Sequence, residues 1–547
     1  MPARPAVNES SDGPPLGTSP RATRHHVAAD WVWWVALVPF ALALLHHWTW
    51  PPADEAGDYA QYLLHAKALV ELRPYIATGY IFHPAAWVVG PPTYPPGLPL
   101  TLAPLVAVGG VHSPLIPLLM PLSLLLFAWC AYRHLTMYVP RWPVGAAIAM
   151  TLLAIEGSGY TRVPISDPGF CALVWGCLWA ADTRTDWRWR QVAMVTVLGF
   201  GAMGYRIAGL ALVPALMLHA LLTWPNHRGR AFIPAAIWAA AGVVVLSLGG
   251  GAGATPSINS LGELPNWIVF AAQLYKGGFF DIELHPVSSN LASDLYHLVA
   301  SMVAVVGVAG MFWRMRTTLL AAFGAAYAIM LVAVPVAEPR YLWPFFPVIA
   351  AGLVWGAQGI ARWLIARRAQ TTQGGRRVSL AVGVVVTAVM LGALWQQWRQ
   401  PAPHTRLAST SAASLFAWLR EQQGRTPMRV VYENPRVVTL ESGVPAMGDV
   451  ARSPNGHLAA YREMGITHLI VDRDGGGDCL QRIANHLPIS HPDQFALAYE
   501  NAAFRVYRFQ TVPGEVGPFQ PINYARIEQW CEEHPNEISP LATAGPS

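Results

Sequence analysis

Three short stretches hold the groups best suited to chemistry. DEAGDYAQYLLHAKALVE carries Asp54, Glu55 and Asp58, VPISDPGF carries Asp167, and EPRYLWPFFP carries Glu338, Arg340 and Tyr341. A carboxylate set beside a hydroxyl can take its proton, which is general-base work. An arginine offers parallel N–H donors that match a phosphate or a carboxylate. An acid that opens a helix also serves as an N-cap, and Glu338 with Arg340 would equally make a loop ion pair. The groups become a site only if the fold gathers them at one place.

Composition says what kind of fold must do so. The chain has 547 residues, 53% hydrophobic and only 12% charged, where a soluble protein carries about 25% charged residues. Mean hydropathy is +0.33. The 36 basic and 31 acidic side chains are too few to cover the surface of a soluble protein this long, so most of the chain is expected to face lipid. Disorder, collagen and a disulfide scaffold are excluded by the apolar content, by 47 glycines without a triplet period and by only five cysteines. Net charge is +5, and Lys67 and Lys276 are the only lysines. In a membrane protein that balance reflects cytoplasmic loops rather than a nucleic-acid partner. There is no Walker loop, GxGxxG, CxxC or GxSxG motif, and the pairs His25-His26 and His46-His47 have no partner at metal-ligand spacing.

The hydropathy pattern predicts eleven spans. Residues 1–30, rich in Pro, Ser and Arg, read as a disordered cytoplasmic tail. Trp31 to Trp50 is uncharged, long enough to span, and has Trp at both ends. Further apolar runs lie near 113–133, 143–158, 168–182, 191–205, 207–224, 232–250, 295–313, 317–336, 341–365 and 378–398. With the N-terminus inside, every second loop is basic: Arg133 and Arg141, Arg184 to Arg190, Arg228 and Arg230, Arg314 and Arg316, and Arg362 to Arg377. Two places are weak. Gly204-Tyr205-Arg206 interrupts 191–224, and the short runs over 143–182 suit tilted or re-entrant helices.

This topology puts the three chemistry-bearing stretches on one face, outside. The loop 51–97 contains an apolar stripe at Tyr62, Leu63, Ala66, Leu69 and Val70, which predicts an amphipathic helix on the membrane surface with Asp58 near its start. Tyr94-Pro95-Pro96-Gly97 is a rigid turn leading back to the membrane. An odd span count sends residues 400–547 outside as a soluble unit holding nearly half of the acidic residues. Its pattern reads as α/β: a helix over Ser414 to Gln422, strands at 428–433 and 466–472, a helix over His457 to Met464, and a hairpin over Phe495 to Phe509 turning at Asn501. A disulfide between Cys479 and Cys531 is left open. DRDGGGD at 472–478 departs from a calcium loop at Gly476 and Ile483 and reads as a turn.

The spacing Asp58, Tyr62, Ala66, followed by YPPG at Tyr94 to Gly97, Ser-Asp-Pro at Ser166 to Pro168 and EPRY from Glu338 to Tyr341, resembles the multispanning GT-C glycosyltransferases. These are lipid-phosphosugar-dependent enzymes related to protein O-mannosyltransferases and aminoarabinose transferases. The resemblance covers essentially the whole chain. It implies a GT-C-like catalytic domain over 31–399 with an extracytoplasmic α/β domain over 400–547. It implies an inverting glycosyltransferase in the inner membrane, using a polyprenyl-phosphate-linked sugar donor and a lipid, glycan or protein acceptor. Asp58 falls at the catalytic acid of the first loop and Asp167 at the second acidic position. Asp54, Glu55, Tyr62, Tyr94, Arg206, Glu338, Arg340 and Tyr341 are the expected substrate contacts. Some relatives carry a Lys for the lipid phosphate where this chain has Tyr94, so Arg340 or Arg206 must supply that cation. A divalent metal is left open, with no ligand set named. Lys276 lies in a long exterior loop that could cover the site. The alternative reading is a secondary transporter or lipid flippase, which would place ionisable groups in mid-membrane.

Overall fold

The computed structural model describes residues 30–48, 57–83, 90–157, 159–183, 187–223, 229–248, 290–333, 339–366, 372–399, 406–450, 454–473 and 479–510. Each expected apolar run falls on helix: α1 (Trp31–His47), α4 (Ile116–Leu135), α5 (Arg141–Gly157), α6 (Ser166–Asp182), α7 (Trp189–Tyr205), α8 (Leu212–Leu222), α9 (Phe232–Leu248), α10 (Asn290–Arg314), α11 (Leu319–Ala333), α12 (Phe346–Ala366) and α13 (Thr372–Arg399). Among the described residues, the stretches Ile116–Leu135, Arg340–Trp363 and Leu380–Arg399 are long and apolar enough to cross a bilayer. The other apolar stretches among the described residues, such as Trp31–His47 and Met302–Arg314, are 10–17 residues long.

Burial follows the helical period. In α1, Trp33, Ala36, Phe40, Ala43 and His47 face the protein, while Trp34, Val35, Val38, Leu42 and Leu45 are exposed on the other side. Water would not tolerate such an outer face over helix after helix, whereas lipid does. Helix α6 is buried nearly all round and forms the centre of the bundle. Its Trp175 donates through Nε1 to the carbonyl of Pro344 at 2.8 Å. That bond ties the central helix to the 3-10 turn Pro339–Phe345.

Two features differ from the sequence expectation. The segment after the YPPG turn forms a further helix, α3 (Gly97–Gly109), packed beside α2 (Asp58–Val70) and α7. The predicted stripe on α2 also does not face a membrane. Tyr62, Leu63 and Ala66 share one apolar cluster with Leu98 and Leu102 of α3 and Val437 and Val438 of a later helix, whereas Leu69 is only partly covered and Val70 is exposed. Small side chains on the opposite face, Ala60 and Ala68, are also covered, so α2 is enclosed by protein on both sides except in its last turn.

Beyond α13 the chain builds an α/β unit from α14 (Thr410–Arg425), β2 (Val430–Val431), α15 (Pro435–Ser442), β3 (Ala446–Met447), α16 (Pro454–Glu463), β4 (His468–Asp472), α17 (Cys479–Ser490), β5 (Phe495–Glu500) and β6 (Phe504–Phe509). Alternate strand residues feed opposite faces: Val430 and Ile470 meet Leu415 and Phe416, whereas Val431 and Leu469 meet Leu458 and Leu487. The sheet order is β1-β3-β2-β4-β6-β5. Its first strand, β1 (Tyr80–Ile81), comes from the loop after α2 and pairs parallel with β3. The sheet is therefore not confined to residues after 400. Cys531 lies outside the described residues, and Cys130, Cys171 and Cys177 are free and buried.

Candidate active site

The site is assembled from element ends. Asp58 opens α2 after Gly57, which sits in the left-handed region at φ +76°. No side-chain cap bond is made at that helix start, so Asp58 is not an N-cap. Its Oδ1 accepts from the Tyr94 hydroxyl at 2.6 Å and from Arg436 Nη1 at 2.8 Å. Its Oδ2 accepts from Arg340 Nη2 at 2.9 Å. Arg340 stands in the turn that Trp175 anchors, and its guanidinium lies 5.7 Å from the Tyr160 ring centre.

From Asp58 a chain of contacts runs round and closes on itself. The Tyr94 ring meets Tyr62 edge-on at 5.1 Å. Tyr62 lies one turn after Asp58 on α2 and donates its hydroxyl to Ser166 Oγ at 2.9 Å. Ser166 and Asp167 form the buried first turn of α6. Asp167 Oδ1 is paired with Arg206, the residue at which α7 breaks into the short 3-10 turn Ile207–Ala211. The Arg206 guanidinium covers the Tyr341 ring at 4.6 Å, and Tyr341 is the neighbour of Arg340. Arg206 thus points into protein and is not a residue reaching from a helix end to the interface. Just before the break, α3 packs on α7 with Gly97 so close to Gly204 that a Cβ on Gly97 would lie 2.6 Å from the Gly204 carbonyl.

Seven of the expected residues, Asp58, Tyr62, Tyr94, Asp167, Arg206, Arg340 and Tyr341, are therefore neighbours round one centre. Asp54, Glu55, Glu338 and Lys276 lie outside the described residues. Arg436 and Tyr160 are not singled out by the sequence, and Ser166 enters it only as the first residue of the Ser-Asp-Pro motif. Arg436 leaves one trace, an arginine directly before Val437 and Val438 in VVYENPRVV, but nothing local pairs it with a residue 378 positions earlier. Tyr94 brings no charge to the site; it donates to the carboxylate while two arginines bring the charge.

Electrostatics set each group's protonation. Burial pushes the Asp58 carboxyl upward, but Arg340, Arg436 and the Tyr94 bond outweigh it and hold it below the usual carboxylate range. Burial keeps the Tyr94 and Tyr62 phenols well above theirs, so both remain donors. Beneath Tyr94, the Tyr75 hydroxyl donates to the Tyr94 carbonyl at 2.9 Å. Tyr75 stacks on His65 at 4.0 Å, and burial pushes that imidazole down to about 4. His65 is neutral at physiological pH and acts as a packed support. Asp167 keeps Oδ2 buried with no hydrogen-bond partner among the described residues. Three arginines against two carboxylates leave one positive charge among the described groups of this centre. Among the described residues, no cluster of three or more His, Cys, Asp or Glu could hold a metal ion.

No protein-family model matches the chain, and no curated protein matches it by sequence. Solved structures do match its fold. The crystal structure of ArnT from Cupriavidus metallidurans in the apo state covers 88% of this chain and 98% of its own, at 13% identity and a TM-score of 0.53. The same protein bound to undecaprenyl phosphate matches over the same shares at a TM-score of 0.50. The archaeal oligosaccharyltransferase AglB from Archaeoglobus fulgidus, in complex with an inhibitory peptide and a dolichol-phosphate, covers 89% of this chain and 75% of its own. It is 10% identical, with a TM-score of 0.52. The chain therefore has the fold of the GT-C enzymes that its motifs resemble.

Proposed function

We propose that this protein is an inverting membrane glycosyltransferase of the GT-C type, with eleven spans, a cytoplasmic N-terminus and its site on the extracytoplasmic face of the inner membrane. The donor is a sugar on a polyprenyl phosphate, and the acceptor is a hydroxyl of a lipid, a glycan or a protein. One observation carries this reading: the Asp58 carboxylate shares a centre with Arg340, Arg436 and the Arg206–Asp167 pair, three arginines against two carboxylates that leave one positive charge among the described residues. A base is thus placed beside an anion site, as transfer from a phosphate leaving group requires.

Arg340 has a role on either side of the reaction. Before the donor enters, it holds Asp58 Oδ2. A donor phosphate competes for the same guanidinium, with Arg206 beside it as the second cation. Drawing Arg340 toward the phosphate removes one of the charges that depress Asp58, so the base strengthens as the donor arrives. The acceptor oxygen then attacks the anomeric carbon while Asp58 takes its proton, and the phosphate leaves with its charge against arginine. A single displacement inverts the anomeric centre. A donor with a long lipid tail requires such a site to open sideways to the bilayer.

The two carboxylates stand at helix starts, Asp58 at the start of α2 and Asp167 at the start of α6. A transporter would place them within broken helices at mid-membrane. Incubating membranes with a polyprenyl-phosphate donor carrying a labelled sugar distinguishes the two. Label should move to an acceptor only when the protein is present. Solute uptake into proteoliposomes without any lipid-linked sugar would instead identify a transporter.

A further inference from the structure

The two arginines on Asp58 are built differently. The Arg436 side chain is 2% exposed and that of Arg340 is 14% exposed. Arg436 sits against two aromatic faces, with Tyr94 at 4.9 Å and Tyr80 at 5.6 Å. It is the second residue of α15, behind Pro435 and before the buried Val437 and Val438. Its helix follows β2 at the carboxyl end of the parallel strands, the edge at which such sheets meet ligands. The neighbouring Asn434 abuts Gly57 so closely that a Cβ there would lie 2.3 Å from its Oδ1. A cation in the first turn of a helix opposes the helix dipole, and a buried one carries a large desolvation cost. Arg436 is therefore held by what it meets: Asp58 and two tyrosine rings.

We propose that Arg436 is a positioning residue for the transfer reaction, fixing Asp58 through Oδ1 so that Oδ2 is the oxygen that takes the acceptor proton. This rests on the glycosyltransferase reading above. Oδ1 already accepts two bonds, from Arg436 and Tyr94, whereas Oδ2 accepts one, from Arg340. When the donor phosphate draws Arg340 away, Oδ2 is the open oxygen, and the carboxylate cannot turn because Oδ1 is clamped. The acceptor O–H proton goes to Oδ2 and the acceptor oxygen forms a bond to the anomeric carbon. The bond from that carbon to phosphate oxygen breaks, and its electron pair stays on the phosphate, neutralised by Arg340. Arg436 contacts neither substrate in this scheme. Among the described residues, the charged and titratable groups facing Asp58 are Arg436 from α15, Arg340 from its turn, Tyr94 from the loop and Tyr62 from α2 itself. The α/β unit thereby enters the chemistry without touching the reacting atoms.

The test uses the full-length protein in lipid nanodiscs and in a deletion strain, with Asp58→Asn, Arg436→Gln and Arg436→Lys. Three readouts are followed: affinity for undecaprenyl phosphate, the infrared titration of the carboxyl signal missing in Asp58→Asn, and the envelope glycan lost on deletion. Arg436→Gln should bind undecaprenyl phosphate within about twofold of the parent, because Arg340 and Arg206 are intact. Its carboxyl midpoint should rise by about one pH unit or more, and its glycan should fall by about 10- to 100-fold, the usual cost of a misplaced catalytic group. Arg436→Lys should keep a midpoint near the parent's but recover only part of the glycan, since lysine restores the charge without the fork. A parental midpoint with parental glycan in Arg436→Gln would overturn the proposal. If Arg436→Gln fails to melt cooperatively, Arg436→Lys decides, and full glycan from it overturns the proposal. Glycan made by Asp58→Asn would instead remove the base role of Asp58 in the reading beneath it, and a deletion that loses no glycan would remove the glycosyltransferase reading itself.

Discussion

Asp58 is a carboxylate with three donors and two cations, and its behaviour with pH follows from that. Its folded value lies below the ordinary one, so its contribution to stability is present above the unfolded value and is lost as pH falls through the folded value. Thermal unfolding of the parent should therefore lose stability on acidification below the usual carboxylate range. Asp58→Asn should lose less over the same interval, and equal losses would mean that the carboxylate is not held as described. Arg340 is the other decisive side chain. Replacing it with Gln removes one charge-assisted bond to a bound phosphate and should weaken undecaprenyl phosphate binding by about 2 kcal/mol, or roughly 30-fold, in direct titration. Asp58, Asp167 and Arg340 were legible as candidates because acids and arginines at helix ends are conspicuous in an apolar chain. The partner of Asp167 is harder to read: the sequence offers Arg206 as a cation for a phosphate, and nothing local to either residue shows that Arg206 also pairs with this acid.

Elements meet at this site through glycines, and substitution there separates position from chemistry. Gly57 has a backbone conformation that other residues adopt only with strain, and it faces Asn434. Gly57→Ala should cost about 1–3 kcal/mol of stability and part of the activity, because α2 must move off α15. Gly97→Ala should destabilise as well, since its obstacle is the Gly204 backbone, which cannot rotate aside as a side chain can. Melting temperatures of both variants check these outcomes. The eleven apolar helices were legible because uncharged runs in lipid have few alternatives. Helix α3 was not, since Pro99 and Pro104 within GLPLTLAPLVAVG mask its period. The buried stripe of α2 was read as lipid-facing because one amphipathic face looks the same whether membrane or protein covers it.

At the scale of the molecule, the α/β unit and the first loop form one body. Strand β1 pairs with β3, the apolar cluster of α2 and α3 is continuous with that of β2 and α14, and Arg436 meets Asp58. A chain ending at residue 399 should therefore be more than a transferase lacking an appendage. It should expose Leu63 and Leu64, become sensitive to protease between residues 71 and 83, and make no product. The α/β pattern itself was readable from alternation in ITHLIVD and the hairpin at Asn501, but the joining strand was not, because two residues carry no periodicity. The central claim is that Asp58 is the base of a sugar transfer. Its most direct measurement is mass spectrometry of envelope glycans and glycoproteins from a deletion strain complemented with parent or with Asp58→Asn. A glycan should vanish on deletion, return with the parent, and stay absent with a folded, membrane-inserted Asp58→Asn. Full restoration by that variant would contradict the account.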